Sequence, residues 1–201
     1  AQCKRNAKGY LMTISVGATL PDATLLKMGE NGPEGVSIGD HLKGRKVGVV
    51  GGPSDKSWIV MQALVGQQCD FDLVTETEGL YGAPPLMSRQ LTNGAVSAVS
   101  TYWHFAARLE AGGAKPLIAI EDAMNTLGVA PAPPLIGFTW DNGAPDPVAL
   151  KGFLKSVRAA GEILATDDAA WAALRPRIKA KTEAEFTALR DAYRAGIIRA
   201  D

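Results

Sequence analysis

Apolar positions fall into three regimes along this chain. Up to residue 40 they come in short strand-like runs, Thr13-Ile14-Ser15-Val16-Gly17, Ala23-Thr24-Leu25-Leu26-Lys27-Met28 and Val36-Ser37-Ile38. The turn-rich stretch Gly29-Glu30-Asn31-Gly32-Pro33-Glu34-Gly35 separates the last two, which predicts a hairpin. From Leu42 strand and helix patterns alternate. Val47–Val50 reads as a buried strand, followed by a helix over Ser54–Val65 with Trp58, Met61, Ala63 and Leu64 as its apolar face. Phe71–Thr75 reads as a second strand, and Pro84-Pro85 opens a helix that stops at Asn93-Gly94. Ala95–Thr101 is a third strand running into a helix over Tyr102–Gly113; Leu117–Ile120 is a fourth strand and Leu135–Trp140 a fifth. This alternation predicts an α/β fold, a parallel or mixed sheet flanked by helices, with a helical C-terminal part.

In the last third Leu150, Phe153, Leu154, Val157 and Leu164 form one helical stripe. Thr166 and Asp167 restart the chain for a short helix around Trp171 and Leu174, ended near Pro176. Thr182-Glu183-Ala184-Glu185 fits a capping box, and Phe186, Leu189, Tyr193 and Ile197 line the final helix. These helices are expected to pack on the body of the protein. The pattern divides the chain into a leader (1–11), a hairpin segment (12–45), an α/β lobe (46–140) and C-terminal helices (141–201).

Composition narrows the function. The 201 residues can bury a substantial core, and equal counts of 21 basic and 21 acidic side chains give no global drive toward nucleic acid or an anionic surface. No apolar run approaches the roughly 18 residues of a membrane span. The basic start Ala1–Lys8 has no apolar stretch behind it of the kind a secretory signal needs. Cys3 and Cys69 lack the number and spacing of a metal site or disulfide framework, and Cys69 reads as a small hydrophobe. No Ser-His-Asp set, phosphate loop or metal spacing is present, so no cofactor is expected.

The most informative stretch is Lys46-Val47-Gly48-Val49-Val50-Gly51-Gly52-Pro53-Ser54-Asp55-Lys56-Ser57-Trp58, a strand, a glycine turn and a helix start. Glycines permit a sharp reversal and close approach of a ligand. Ser54 is placed to cap the helix, whose first-turn N–H groups and dipole would then receive an anion or polar group. In parallel sheets ligands sit at the carboxyl ends of strands, which puts Gly51–Ser57 and Thr101–His104 on one rim. Candidate ligand residues are Gly51, Gly52, Ser54, Asp55, Ser57, Trp103 and His104. Ser54 as a plain cap and Trp103 as core filling stay open beside the ligand roles. Lys56 and His41 read as solvated, and His104 as a polar lining residue with no catalytic or metal partner near it in sequence.

Two resemblances follow from these residues. Val16–Leu25 through Leu42-Lys43-Gly44-Arg45-Lys46-Val47 resembles the opening of type five peroxiredoxins, a family whose next loop carries the peroxidatic cysteine. Here Gly48–Asp55 follows, with no cysteine before Cys69, so peroxidase activity is not expected. Residues 42–201 resemble the later part of solute-binding proteins of nitrate/sulfonate/taurine ABC importers. The resemblance is carried by Leu42–Val49, Gly51–Trp58, Tyr81-Gly82-Ala83-Pro84-Pro85-Leu86, Ala98–Leu109 and Leu164–Asp168 with Trp171 and Leu174-Arg175-Pro176. Many members have Trp-Glu-Pro where this chain has Trp103-His104-Phe105.

The second resemblance implies a non-catalytic binder of a small molecule (an anion, a sulfonate or a pyrimidine-like compound) that serves an ABC permease in the periplasm. It also implies that the first of two lobes is replaced by the peroxiredoxin-like piece, a partial or chimeric form with an incomplete cleft. A face uncovered in this way would favour a homodimer. The alternatives are a peroxiredoxin-related antioxidant protein and a fusion product without a ligand, with a cytoplasmic location open because no signal peptide is visible.

Overall fold

The computed structural model describes residues 24–29, 32–37, 41–69, 71–129, 143 and 146–197, the first two segments by their backbone alone. Strands β1 (Thr24–Gly29) and β2 (Gly32–Ser37) pair antiparallel, with Gly29 opposite Gly32. The predicted hairpin is therefore present, but β2 begins inside the stretch expected to be a turn. A two-stranded ribbon consists of edges alone, where Pro33 is tolerated. The run Thr13–Gly17 lies outside the described residues.

The second sheet is the centre of an α/β fold. β3 (Lys46–Val50) lies between β4 (Glu78–Gly82) and β5 (Ala98–Ser100) and is parallel to both. β3 is rich in valine, and all of it except Lys46 is buried, as expected for the middle strand of a sheet covered on both faces. Val47 and Val49 pack with Trp58, Met61, Leu64 and Val65 of α1 (Lys56–Gln68) and Ala123 of α4 (Ile120–Thr126). The opposite face receives α2 (Pro84–Thr92). An added Cβ on Gly48 would lie 3.1 Å from Met87 Sδ of that helix and 3.3 Å from Val99. The glycine is what lets α2 lie close on the sheet.

Several predicted strands are corrected. Phe71–Thr75 is a turn, because Asp72 Oδ1 accepts from the Val74 and Thr75 amides (2.9 and 2.8 Å) and from Thr75 Oγ1 (3.0 Å). That local capture outcompetes a ladder, while Phe71 and Leu73 still plug the core. The strand forms later, at Glu78–Gly82, where Gly79 leaves room for the Tyr81 ring beside it. Ala95 and Val96 are drawn to the Gln90 carbonyl, so only Ala98–Ser100 of the third run pairs. Leu117–Ile120 joins no ladder; Leu117 and Ile118 pack against the core and α4 starts at Ile120, with Glu121 and Asp122 favouring its N-terminus. Leu135–Trp140 lies outside the described residues.

Helix α3 (Trp103–Ala111) follows β5, and the C-terminal helices are α5 (Pro147–Thr166), α6 (Asp168–Ile178) and α7 (Glu183–Ala195). α6 continues through Pro176 and stops at Lys179, whose φ of 54° is left-handed. α3 is fastened to α7 by Arg108, which pairs with Glu185 and donates to the Ile178 carbonyl at 2.8 Å. Glu185 is the buried charged residue among those described. Its other oxygen accepts from the Lys181 amide (2.7 Å), one residue before the expected capping-box partner, and its own amide donates to Thr182 Oγ1 (3.1 Å). Ile197 lies beyond the end of α7.

The stripe of α5 does not pack as expected: no residue of this helix is buried. At its last turn the Leu164 carbonyl accepts from Trp171 Nε1 (2.8 Å) and Arg194 Nε (3.1 Å).

Two outcomes test this packing. Gly48→Val should lower unfolding free energy by about 1–3 kcal/mol through overpacking, whereas Gly66→Ala, in open space on α1, should raise it by about 0.5–1 kcal/mol in the same urea titrations. Glu185→Ala should cost about 3 kcal/mol because it strands Arg108, while Glu183→Ala, which breaks an exposed pair with Arg175, should leave the denaturation midpoint nearly unchanged.

Candidate ligand-binding rim

The chain leaves β3 through Gly51, whose φ of +100° suits glycine. A Cβ there would also lie 3.1 Å from Asp55 Oδ2. The Gly51 amide reaches the Gly82 carbonyl at the end of β4 (3.4 Å), and the Asp55 amide donates to the Gly52 carbonyl (3.0 Å). The turn is thereby closed on itself. Among the described residues nothing lies within 4 Å of the Gly52 Cβ position.

The residue that caps α1 is Asp55 and not Ser54. Asp55 Oδ1 accepts from the Ser57 amide at 2.9 Å and the Trp58 amide at 3.4 Å, and Ser54 sits exposed one residue earlier. Two of the first-turn donors expected to receive a ligand are thus already held by a carboxylate of the chain itself. The expected anion cradle at this turn is corrected on that ground: an anion would meet Asp55 at close range.

At the neighbouring strand end the picture differs. Tyr102 precedes α3 without any side-chain cap, so the Trp103 and His104 amides head an uncapped helix. Thr101 Oγ1, just before it, is buried with no hydrogen-bond partner among the described residues. Trp103 is not core: it is 52 % exposed, with Tyr102 beside it at 45 %. The Trp103 ring lies edge-on to His104 (5.4 Å) and 6.1 Å from Tyr193 of α7, which in turn meets the buried Trp171 at 5.4 Å. His104 also stacks near Tyr102 (6.3 Å) and touches Phe105 (4.6 Å). Burial, and then the positive charge of Arg108, hold the His104 imidazole below its ordinary pKa, so it is neutral at pH 7. The third helix start on this rim, α2, carries Pro84 and Pro85 and offers no N–H at those positions.

The sheet order brings the two candidate turns together. The β3–α1–β4 unit steps to one side of β3, and β4–α2–β5 crosses to the other. Loops leaving β3 and β5 therefore part at a switch in strand order, with Val49 and Ser100 in register just below them. Gly51, Gly52, Ser54, Asp55 and Ser57 belong to one loop, and Trp103 and His104 to the other. Sequence reasoning put Thr101 and Tyr102 on this rim without naming them as ligand residues, and read Tyr193 as part of the inward stripe of the last helix. Tyr102 lies inside the singled-out tract, but Tyr193 is some 90 residues away and no local pattern ties it to Trp103.

Among the described residues no group of three His, Cys, Asp or Glu could hold a metal ion. No described helix is long and apolar enough to cross a membrane. Cys69 is half-buried against the core and disulfide-bonded. Compared with known proteins, the chain matches no family model, and no curated protein matches it significantly.

The cap assignment is open to a direct check. Asp55→Ala should cost about 1 kcal/mol of stability, and Ser54→Ala should change it by a few tenths at most, both read from equilibrium unfolding.

Proposed function

We propose that this chain is a non-catalytic small-molecule-binding unit of the solute-binding kind, working with an ABC permease in the periplasm. The observation that carries the reading is the switch point between β3 and β5, where a glycine turn and an exposed aromatic helix start share one rim. Crevices at such points, lined by a few convergent polar groups and aromatic faces, are where small ligands settle in open α/β sheets.

The groups on the rim favour one of the ligand classes that the sequence resemblance implies. Asp55 supplies negative charge and acceptor oxygen at one side, and the uncapped α3 start supplies backbone donors at the other. Trp103 and Tyr102 offer exposed ring faces for stacking. A neutral planar heterocycle such as an aminopyrimidine uses all three. Nitrate or a sulfonate uses only the second and is opposed by Asp55.

The rim covers one side of a ligand, so binding is weak and the test needs ligand well above its dissociation constant. A thermal-shift screen against aminopyrimidines, taurine, other sulfonates, nitrate and small carboxylates should give a rise of a few degrees with the pyrimidine, corresponding to about 2–3 kcal/mol at a hundredfold excess over Kd. Trp103→Ala should abolish the rise while leaving the unliganded melt cooperative. A flat screen on a cooperatively folded protein refutes the proposal, and a shift with nitrate alone refutes the ligand assignment.

A further inference from the structure

We propose that Asp55 is the specificity-determining residue of the rim: one of its oxygens holds the helix, and the other reads an amino group on the ligand and turns anions away. This rests on the binding reading above and adds the residue and the ligand group that decide selectivity. The two carboxylate oxygens have different surroundings. Oδ1 is committed to α1, accepting from the Ser57 and Trp58 amides. Oδ2 accepts from none of the described residues, and Lys56, next in the chain and exposed, forms no ion pair with it. Nor is Oδ2 walled in: Asp55 is half-buried, and the side-chain atom that is both buried and unpartnered among the described residues is Thr101 Oγ1. Oδ2 lies against the glycine turn, 3.1 Å from where a Gly51 Cβ would stand, at the end of the central strand.

An accessible carboxylate oxygen without a cation or an N–H of its own is an acceptor in wait of a donor. A ligand amino group supplies one, and a hydrogen bond to an ionised acceptor is about twice as strong as one between neutral groups. A methyl group of the same size leaves the oxygen covered and unsatisfied, which costs more than the bond is worth when made. Nitrate or a sulfonate brings acceptors alone and meets like charge at short range. The choice between donor and acceptor at this position therefore falls to Oδ2.

The division of labour makes the two duties separable. Asparagine ranks with aspartate as a helix cap, because its one carbonyl oxygen can take the same two amides. What Asp55→Asn changes is the second position, where an NH2 donor replaces the charged acceptor. The cap stays and the selectivity reverses.

Calorimetric titration of the whole chain with nitrate, an aminopyrimidine and the methylpyrimidine substituted at the same position tests this, alongside melts of each unliganded protein. The wild type should bind the amino compound at least about tenfold more tightly than the methyl compound. Asp55→Asn should melt within about a degree of the wild type, bind the aminopyrimidine about tenfold to a hundredfold more weakly, and gain affinity for nitrate. If the asparagine variant melts early, Asp55→Ser, another capping residue with a single side-chain oxygen, carries the same comparison of amino and methyl compounds. Equal affinity of the wild type for those two overturns the role of Asp55 while the binding reading stands. A preference that survives both substitutions also overturns it. A folded wild type that binds none of the three removes the binding reading and this inference with it.

Discussion

The contact on which the arrangement of the two halves depends is the pair between Arg108 and Glu185. Arg108 sits on the helix that leaves the parallel sheet, and Glu185 opens the last helix of the C-terminal group, 77 residues away. Neither charge could be withdrawn from water alone without a large penalty. Each is therefore matched further: Arg108 by the Ile178 carbonyl, and Glu185 by the Lys181 amide. The network joins a helix start, a helix end and the sheet-derived helix in one place, and it holds Tyr193 where it can back Trp103. A weakly buried ring at the rim is thus positioned by a polar contact elsewhere on the same pair of helices.

On the other side of the rim, one residue serves two purposes. Asp55 stabilises α1 by accepting from its first amides, and the same carboxylate sets the charge that an incoming molecule meets. Gly51 supports both, since its positive φ makes the turn and its missing side chain makes room for Asp55 Oδ2. Helix starts at strand ends are often described as anion sites, but the property belongs to unclaimed donors. Here the chain claims those of α1 and leaves those of α3 open, and the two neighbouring turns consequently prefer different groups.

The features most legible in the sequence were those governed by local rules. Val47–Val50 read as a buried strand because β-branched residues in an apolar run suit no other place, and Pro84-Pro85 with Asn93-Gly94 marked both ends of a helix. The β1–β2 hairpin and the Thr182 cap followed from turn and capping chemistry in the same way. The errors arose where two local rules competed. Phe71–Thr75 alternates like a strand, yet Asp72 has enough nearby donors to fold the backbone around itself. Ser54 and Asp55 are both good caps, and one residue of helix register decided between them.

What the sequence determined alone was therefore the α/β class, the glycine corner after β3 and the identity of the residues that leave β3 and β5, because periodicity, propensity and turn chemistry act over a few residues. Only tertiary structure decided that Glu-Gly-Leu-Tyr-Gly is a strand, since a glycine-rich segment becomes one when a neighbour offers a ladder and a place for its tyrosine ring. Tertiary structure also decided that no residue of α5 is buried and that Tyr193 supports Trp103. An apolar stripe shows that a face prefers to leave water, but which surface receives it depends on where every other element has packed.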